Sequence, residues 1–383
     1  MIKKVISTLK GYSYNCINFR LILYVIALTV IGILTIGSAT VGENFQSRQI
    51  MGLFLGLVAM AFMMLLSYKF ILKFYWPLYI LTLVLLLAVE FFGKIGLGAE
   101  RWIIILGIKF QPSEICKIFL ILFMAAYIGK YKDRFNTFKV LAPLVVLIAI
   151  PLILIFIEPD LSTTIVTFAT MCAIIYLAGL HRKIIMSVIL VAIPVVGILG
   201  YLIFFHPEIE ILSPHQYERI FGFYSNDVED PEIARIKYQQ ENALLAIGSG
   251  GLTGKGLYND DETSVKNGNF LPECHTDFIF TIVGEELGFV GCIAVIILLL
   301  LIIFECFFTG SRSREFSGKL YCYGFGSLIG LQAFVNIAVN TMLLPNTGLT
   351  LPFVSYGLTS LVSMFIGVGV VLNVGLQSRK KLY

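Results

Sequence analysis

The apolar run that starts at Leu21, "LILYVIALTVIGILTIGSA", contains no charged residue, and runs like it recur along the chain. Ten segments have this character, at about 21–41, 50–67, 74–92, 112–129, 140–157, 161–179, 184–205, 277–305, 319–343 and 352–375. Each comes near the ~20 apolar residues that a helix needs to cross a bilayer. Apolar types make up 58% of the 383 residues and charged types 14%, against ~45–50% and ~25% in soluble domains. A spanning segment in lipid must satisfy its own backbone hydrogen bonds, so helices are the expected element. The short alternating segments of an outer-membrane barrel are missing. The first run is too long for a signal-peptide core and no small-residue cleavage site follows it, so it reads as a retained span. The expectation is an all-α polytopic membrane protein of about ten spans. It forms one integral membrane domain, 1–383, with a long extracytoplasmic loop, 206–276, between spans seven and eight.

Basic residues set the orientation. Lys3, Lys4, Lys10, Arg20, Lys69, Lys73, Lys130, Lys132, Arg134, Lys139, Arg182, Lys183, Arg312, Arg314, Lys319, Arg379, Lys380 and Lys381 all fall on one side when ten spans are counted. That side is the cytoplasm and holds both termini. Of the carboxylates, Asp133, Glu305 and Glu315 fall inside and the rest collect at or beyond the outer face. The seven cysteines lack metal-ligand spacing and read as small core hydrophobes.

Within the long loop, "EIARIKYQQENALLAIG" places Ile233, Ile236, Leu244 and Ile247 at helical spacing. Such a helix could lie along the membrane surface. The next stretch, "GSGGLTGKG", misses the phosphate-loop pattern because Ser249 and Gly256 stand where Gly and Ser or Thr are required. It reads either as a turn with glycines at positive φ or as a backbone nest for an extracytoplasmic anion.

Polar residues converge on the outer half of the bundle. Arg101 and Trp102 precede the fourth span. Glu114 and Lys117 share a face early in that span. They either neutralise each other or face a pathway, since charge in a membrane is costly. Asp160 follows Pro159 at an outer turn, as a cap for the next helix or as part of a site. Asp277, Thr281 and Glu285 are spaced by four, a helical face running into the membrane, with Glu273 and His275 just before them. Gln332, Asn336 and Asn340 form a stripe of the kind that joins helices. Ser355 and Tyr356 enter the last span after a turn built on Pro345, Gly348 and Pro352. The convergence fits an extracytoplasmic site for a charged, membrane-embedded substrate.

At "GAERW", "FQPSEICK", "EPDLSTT", "AIGSGGLTGKGL", "FLPECHTDFIFTIVGEELGFVG" and "LLPNTGLTLPFVSYGLTSL" the chain resembles the SEDS family of bacterial membrane proteins, the group of RodA, FtsW and SpoVE. The likeness runs over nearly the whole chain. It implies a peptidoglycan glycosyltransferase that polymerises lipid II outside the cytoplasmic membrane with a class B penicillin-binding protein as partner. It further implies Asp277 as catalytic base and support from a divalent cation, Mg²⁺ or Mn²⁺, whose ligands stay unassigned. On this reading Lys117 and Arg101 offset pyrophosphate charge and Glu114 orients Lys117. Trp102, Asp160, Glu273, His275, Glu285 and Ser355 complete the substrate site. The motifs depart from the family pattern at Leu358-Thr359, at Asn346 and at Cys274. These changes leave the acids in place but blur the paralogue, for which the reading inclines to a RodA-like role in elongation over division. Two rivals remain: a lipid II flippase or transporter, and a membrane scaffold for a cell-wall transpeptidase.

Overall fold

The computed structural model describes residues 17–96, 99–105, 108–158, 160–205, 212, 214–224, 231–259, 264–266, 268, 271–272 and 274–377. Among these the chain forms helices α1 (Phe19–Ala39), α2 (Phe45–Leu65), α3 (Tyr68–Lys73) and α4 (Tyr75–Phe92), then strands β1 (Lys94–Gly96), β2 (Ala99–Ile105) and β3 (Ile108–Phe110). There follow α5 (Pro112–Lys130), α6 (Phe138–Ile157), α7 (Leu161–Leu177), α8 (Arg182–Phe205), α9 (Pro214–Tyr224) and α10 (Pro231–Ser249). The chain closes with α11 (Ile279–Ser311), α12 (Phe316–Asn340) and α13 (Leu358–Leu376).

Seven of these helices are long and apolar enough to cross a bilayer: α1, α2, α5, α6, α11, α12 and α13. Two shorter apolar helices, Tyr75–Phe91 and Leu161–Leu177, stand beside them. The bundle presents Phe54, Phe62, Val146, Ile153, Leu300 and Phe304 outward, an apolar exterior that only lipid tolerates. Its centre is α5, of whose apolar window 83% is buried. Pro112 begins α5 where a missing N–H costs nothing.

Polar side chains at the end of the bundle where α1 begins fasten helices to one another. Asn18 caps α1 by accepting from Leu21 N at 3.2 Å, and its Nδ2 donates to Glu305 Oε2 on α11 at 2.8 Å. Asn373 of α13 accepts from Tyr68 N at 2.7 Å and donates to Met64 O at 2.6 Å. It thereby satisfies the backbone where α2 gives way to α3. Lys69 and Glu315 form an ion pair on the same face.

Several sequence expectations need correction. The stretch before α5, where the sequence placed Arg101 and Trp102 without assigning strands, forms an antiparallel meander in the order β1-β2-β3, with Lys94 opposite Trp102 and Ile103 opposite Phe110. The last span starts at Leu358, so Ser355 and Tyr356 lie in the turn before it. Phe353, at φ 65°, and Gly357 keep that turn out of the helix. Asp277 also precedes its helix, which opens at Ile279, so it does not share a helical face with Thr281 and Glu285. Helix α10 forms where its periodicity predicts, but packs on α11 and α12. Its buried stripe is Ile233, Ile236, Gln240, Ala243 and Ala246, while Leu244 is exposed. Small alanines let α10 lie close, and Gln240 Nε2 donates to Val339 O at 3.2 Å and Leu344 O at 2.9 Å.

Candidate active site

The outer half of α11 is broken at Gly288, whose φ of 66° and ψ of −164° interrupt the helix. The glycine-rich turn after α10 fills the break. Lys255 N donates to Glu285 O at 3.0 Å, Gly256 N to Glu286 O at 2.9 Å, and Phe289 N to Gly251 O at 2.9 Å. A Cβ on Gly254 would collide with the carbonyl of Glu286. The turn is therefore a backbone-on-backbone clasp, and these two amides, of Lys255 and Gly256, are engaged by α11. The close approach requires glycine at 254, while Gly251 and Gly256 supply the positive φ of the turn.

Two lysines reinforce the clasp. Lys255 Nζ meets Glu285 Oε1 at 2.7 Å, and Lys266 Nζ meets Glu286 Oε1 at 2.5 Å. Glu285 also accepts from Val265 N at 3.2 Å, and Lys266 reaches Ser38 Oγ on α1 at 2.8 Å. Both glutamates are buried. Glu285 thus anchors the long loop. Beyond the clasp a cavity of about 410 Å³ opens between the outer end of α1 and the loop, with Ser38, Thr40, Glu43, Lys266, Cys274 and His275 in its wall. Its size falls within the ~300–1,000 Å³ of small-molecule sites.

From His275 the chain runs to Asp277, which is half-buried. The His275 ring stacks on Phe45 at 4.4 Å between centroids, and its carbonyl accepts from Tyr356 N at 2.9 Å. Asp277 is held by its backbone: its carbonyl accepts from Asn336 Nδ2 at 2.9 Å and Asn340 Nδ2 at 3.0 Å. Asn340 Oδ1 takes the amide and hydroxyl of Thr281 at 3.2 and 2.8 Å. It caps α11 from a neighbouring helix, since Phe278 at the N-cap position supplies no side-chain cap. The amide stripe of α12 joins helices, as its spacing predicts, and also fixes the backbone of the acid.

The turn 345–357 is the hub of the site. Asn336 Nδ2 donates to Leu349 O at 2.6 Å, and Gln332 Nε2 to Thr350 O at 3.0 Å. Ser162 of α7 donates to Thr347 O. Ser355 Oγ donates to Thr276 O at 2.6 Å and accepts from Leu351 N at 2.7 Å, so it ties the turn to the Asp277 segment. Gly348, at φ 71°, occupies the crease: a Cβ there would stand 3.2 Å from Asp277 Oδ2 and 2.8 Å from Arg219 Nη1 of α9.

Arg219 is the site residue that the sequence reading missed. It lies in a polar stretch beside Glu218, which looks like a solvated charge pair, and only the fold brings it to Asp277. The other expected residues divide. Glu114 and Lys117 are buried and paired at 2.9 Å, and Lys117 Nζ also donates to Gln332 Oε1 at 3.1 Å. They support the hub through Gln332. Asp160 caps α7 by accepting from Thr163 N at 3.1 Å, and Gln111 Nε2 approaches its Oδ2 at 3.4 Å. Trp102 is half-buried on β2. The side chain of Arg101 and all of Glu273 lie outside the described residues. Among the described residues no three His, Cys, Asp or Glu side chains converge as metal ligands.

Comparison with known proteins agrees along the whole bundle. Residues 16–380 match the family model described as "Cell cycle protein", that of FtsW, RodA and SpoVE. A protein of Nitrosomonas europaea named a probable peptidoglycan glycosyltransferase FtsW is 38% identical over 292 residues, 74% of this chain and 70% of that one. The fold matches a chain of a peptidoglycan synthase complex, from a structure concerned with coordinating polymerization and crosslinking. The TM-score is 0.75 at 26% identity, covering 94% of this chain and 97% of that chain. It also matches the rod shape determining protein RodA of Thermus thermophilus with a TM-score of 0.67 at 26% identity, covering 95% and 98%.

Proposed function

The chain belongs to the FtsW, RodA and SpoVE family of cell cycle proteins, and on that premise we propose that it polymerises lipid II with Asp277 as general base. The observation that carries the assignment of the base is the construction around Asp277. Two buried amides hold its carbonyl, and the carboxylate is left half-buried at the crease of the 345–357 turn. A base needs this combination of fixed position and access.

In the proposed step the Asp277 carboxylate takes the proton of the acceptor sugar's 4-hydroxyl. That oxygen attacks the anomeric carbon of the polyprenyl-linked donor. The bond from this carbon to the pyrophosphate oxygen breaks, its electron pair leaves with undecaprenyl pyrophosphate, and the configuration inverts from α to β. A single displacement needs no covalent nucleophile. Lys117 is engaged by Glu114 and Gln332, so this pair shapes the hub and does not meet the pyrophosphate. A divalent cation would be carried largely by substrate phosphates, with the Asp277 carboxylate among the groups that could help hold it. Such an ion would offset charge on the leaving group, and no step above runs through it.

Ten spans with both termini cytoplasmic put Asp277 and the 206–276 loop outside, where lipid II is polymerised. The likeness to a peptidoglycan synthase complex supports a class B penicillin-binding protein as partner. The FtsW name on the sequence relative moves the paralogue reading from RodA-like to FtsW-like. The break in α11 favours a transporter, yet among the described helices α11 alone is broken, and a loop fills the gap. The test is polymerisation of lipid II by the purified chain, alone and with a class B partner. Wild type should give glycan strands on a gel and Asp277→Asn none. Strands from a folded Asp277→Asn protein would refute the base. Lipid II crossing liposome bilayers with no strands under either condition would favour the flippase.

A further inference from the structure

A pyrophosphate that leaves with the electron pair of the sugar–phosphate bond gains charge and needs a cation to receive it. Among the described residues, several lysines stand in or near the half of the bundle that holds Asp277. Lys117 is paired with Glu114, Lys255 with Glu285 and Lys266 with Glu286, while Lys109 is exposed on β3. The cation that the fold sets beside Asp277 is Arg219. Its Nη1 and the Asp277 Oδ2 lie 2.8 and 3.2 Å from the point that a Cβ on residue 348 would occupy. Gly348 is in the left-handed region, at φ 71°, so a side chain there would be strained as well as crowded.

We infer that Arg219 binds the pyrophosphate of the polyprenyl-linked donor and receives its charge as the sugar–phosphate bond breaks. The guanidinium presents donors in a planar fork that matches phosphate oxygens, where a lysine offers a point charge. Arg219 arrives on α9, part of the long loop, while Asp277 opens α11. The site is complete only with the loop docked, and the clasp at Gly288 and the anchoring of α10 by Gln240 hold it there. The inference rests on the reading of Asp277 as the base, and it deepens that reading by naming the group that takes the leaving anion.

The test uses the purified full-length protein in detergent, with farnesyl pyrophosphate as the probe, alongside lipid II turnover and a melting curve for each variant. Arg219→Gln should weaken farnesyl pyrophosphate binding at least about tenfold and lower kcat about 100-fold, the scale of losing one charge-stabilising donor. Arg219→Lys should fall between. Asp277→Asn should lose turnover and still bind the probe. Gly348→Ala, which wedges the crease, should impair both. Wild-type probe binding by a folded Arg219→Gln protein overturns the inference. If that variant does not fold, wild-type binding and turnover by Arg219→Lys overturn it instead. Turnover retained in Asp277→Asn, with binding lost in Arg219→Gln, would sink the base and leave the pyrophosphate site standing.

Discussion

Two kinds of carboxylate occupy the outer half of this bundle. Glu114, Glu285 and Glu286 are buried, and each has a lysine within 2.9 Å. Asp277 is half-buried, and the hydrogen bonds to its carbonyl come from Asn336 and Asn340. The difference separates holding the fold from acting on a substrate. A charge deep in a bundle persists only when paired, and once paired and enclosed it is withdrawn from chemistry. A group that must exchange a proton needs access, so the protein fixes the Asp277 backbone and leaves the residue half-buried.

The sharpest way to break this division is at Lys117. Lys117→Met leaves Glu114 buried without its cation and should destabilise the protein by about 3–5 kcal/mol, read as a large fall in melting temperature. The double variant Glu114→Gln, Lys117→Met removes both charges. If the pair is structural, the double variant regains most of the stability and polymerises lipid II within about tenfold of wild type. Recovered stability with no polymerisation would place Lys117 in the chemistry and erase the distinction.

The two clasp lysines sharpen the comparison by degree. The Lys266 side chain is 3% exposed and that of Lys255 is 21% exposed. Water screens the second pair more, so Lys266→Met should cost about 3 kcal/mol and Lys255→Met about half that. Amide exchange in 250–259 should rise in Lys255→Met, whose side chain ties that segment to Glu285, while Lys266→Met loosens residues 264–266 from Glu286 and Ser38. No loss in either variant would mean that the backbone bonds at Gly288 carry the clasp alone.

Much of this architecture was legible in the sequence because lipid imposes simple rules. The apolar runs predict the helices, and the α12 amides at 332, 336 and 340 predict a joining stripe. The failures share a cause. The meander at 94–110 was hidden because "RWIII" carries no alternation. The break at Gly288 sits inside an apolar run, and its partner is a loop more than thirty residues earlier, at 250–256. Arg219 and Asp277 are brought together by tertiary structure, and no spacing rule reaches that far. Glu285 was misread as facing substrate because four-residue spacing specifies a face but not what covers it.

Asn340 shows how far the backbone restraint of Asp277 matters. Its amide caps α11 and grips the Asp277 carbonyl, so Asn340→Ala should cost about 2 kcal/mol from the lost cap and a buried Thr281 hydroxyl left without its acceptor. Polymerisation should fall further than stability does, because the base loses its fixed position. Asn340→Asp keeps the acceptor for Thr281 and loses the donor to Asp277. Its new acceptor faces the carbonyls of Asp277 and Asn336 and its charge is buried unpaired, so it should lose more stability than Asn340→Ala, with the rate falling further still. Parallel losses in both variants would show that Asn340 acts on the helix alone.

The smallest expected effect tests the outer carboxylate that could belong to either kind. Asp160 is buried, it caps α7 through Thr163 N, and Gln111 Nε2 lies 3.4 Å from its other oxygen. Asp and Asn cap helices about equally well, whereas Ala at such a position costs about 1 kcal/mol. Asp160→Ala should therefore lower the melting temperature by a few degrees, and Asp160→Asn should leave it nearly unchanged. If Asp160 is a cap and nothing more, polymerisation follows stability in both variants, and Asp160→Asn remains active. If its charge meets substrate, Asp160→Asn keeps its melting temperature and loses turnover. That result would move Asp160 across the dividing line to stand with Asp277, and would extend the reactive crease from Gly348 through Thr347 and Ser162 to the N-terminus of α7.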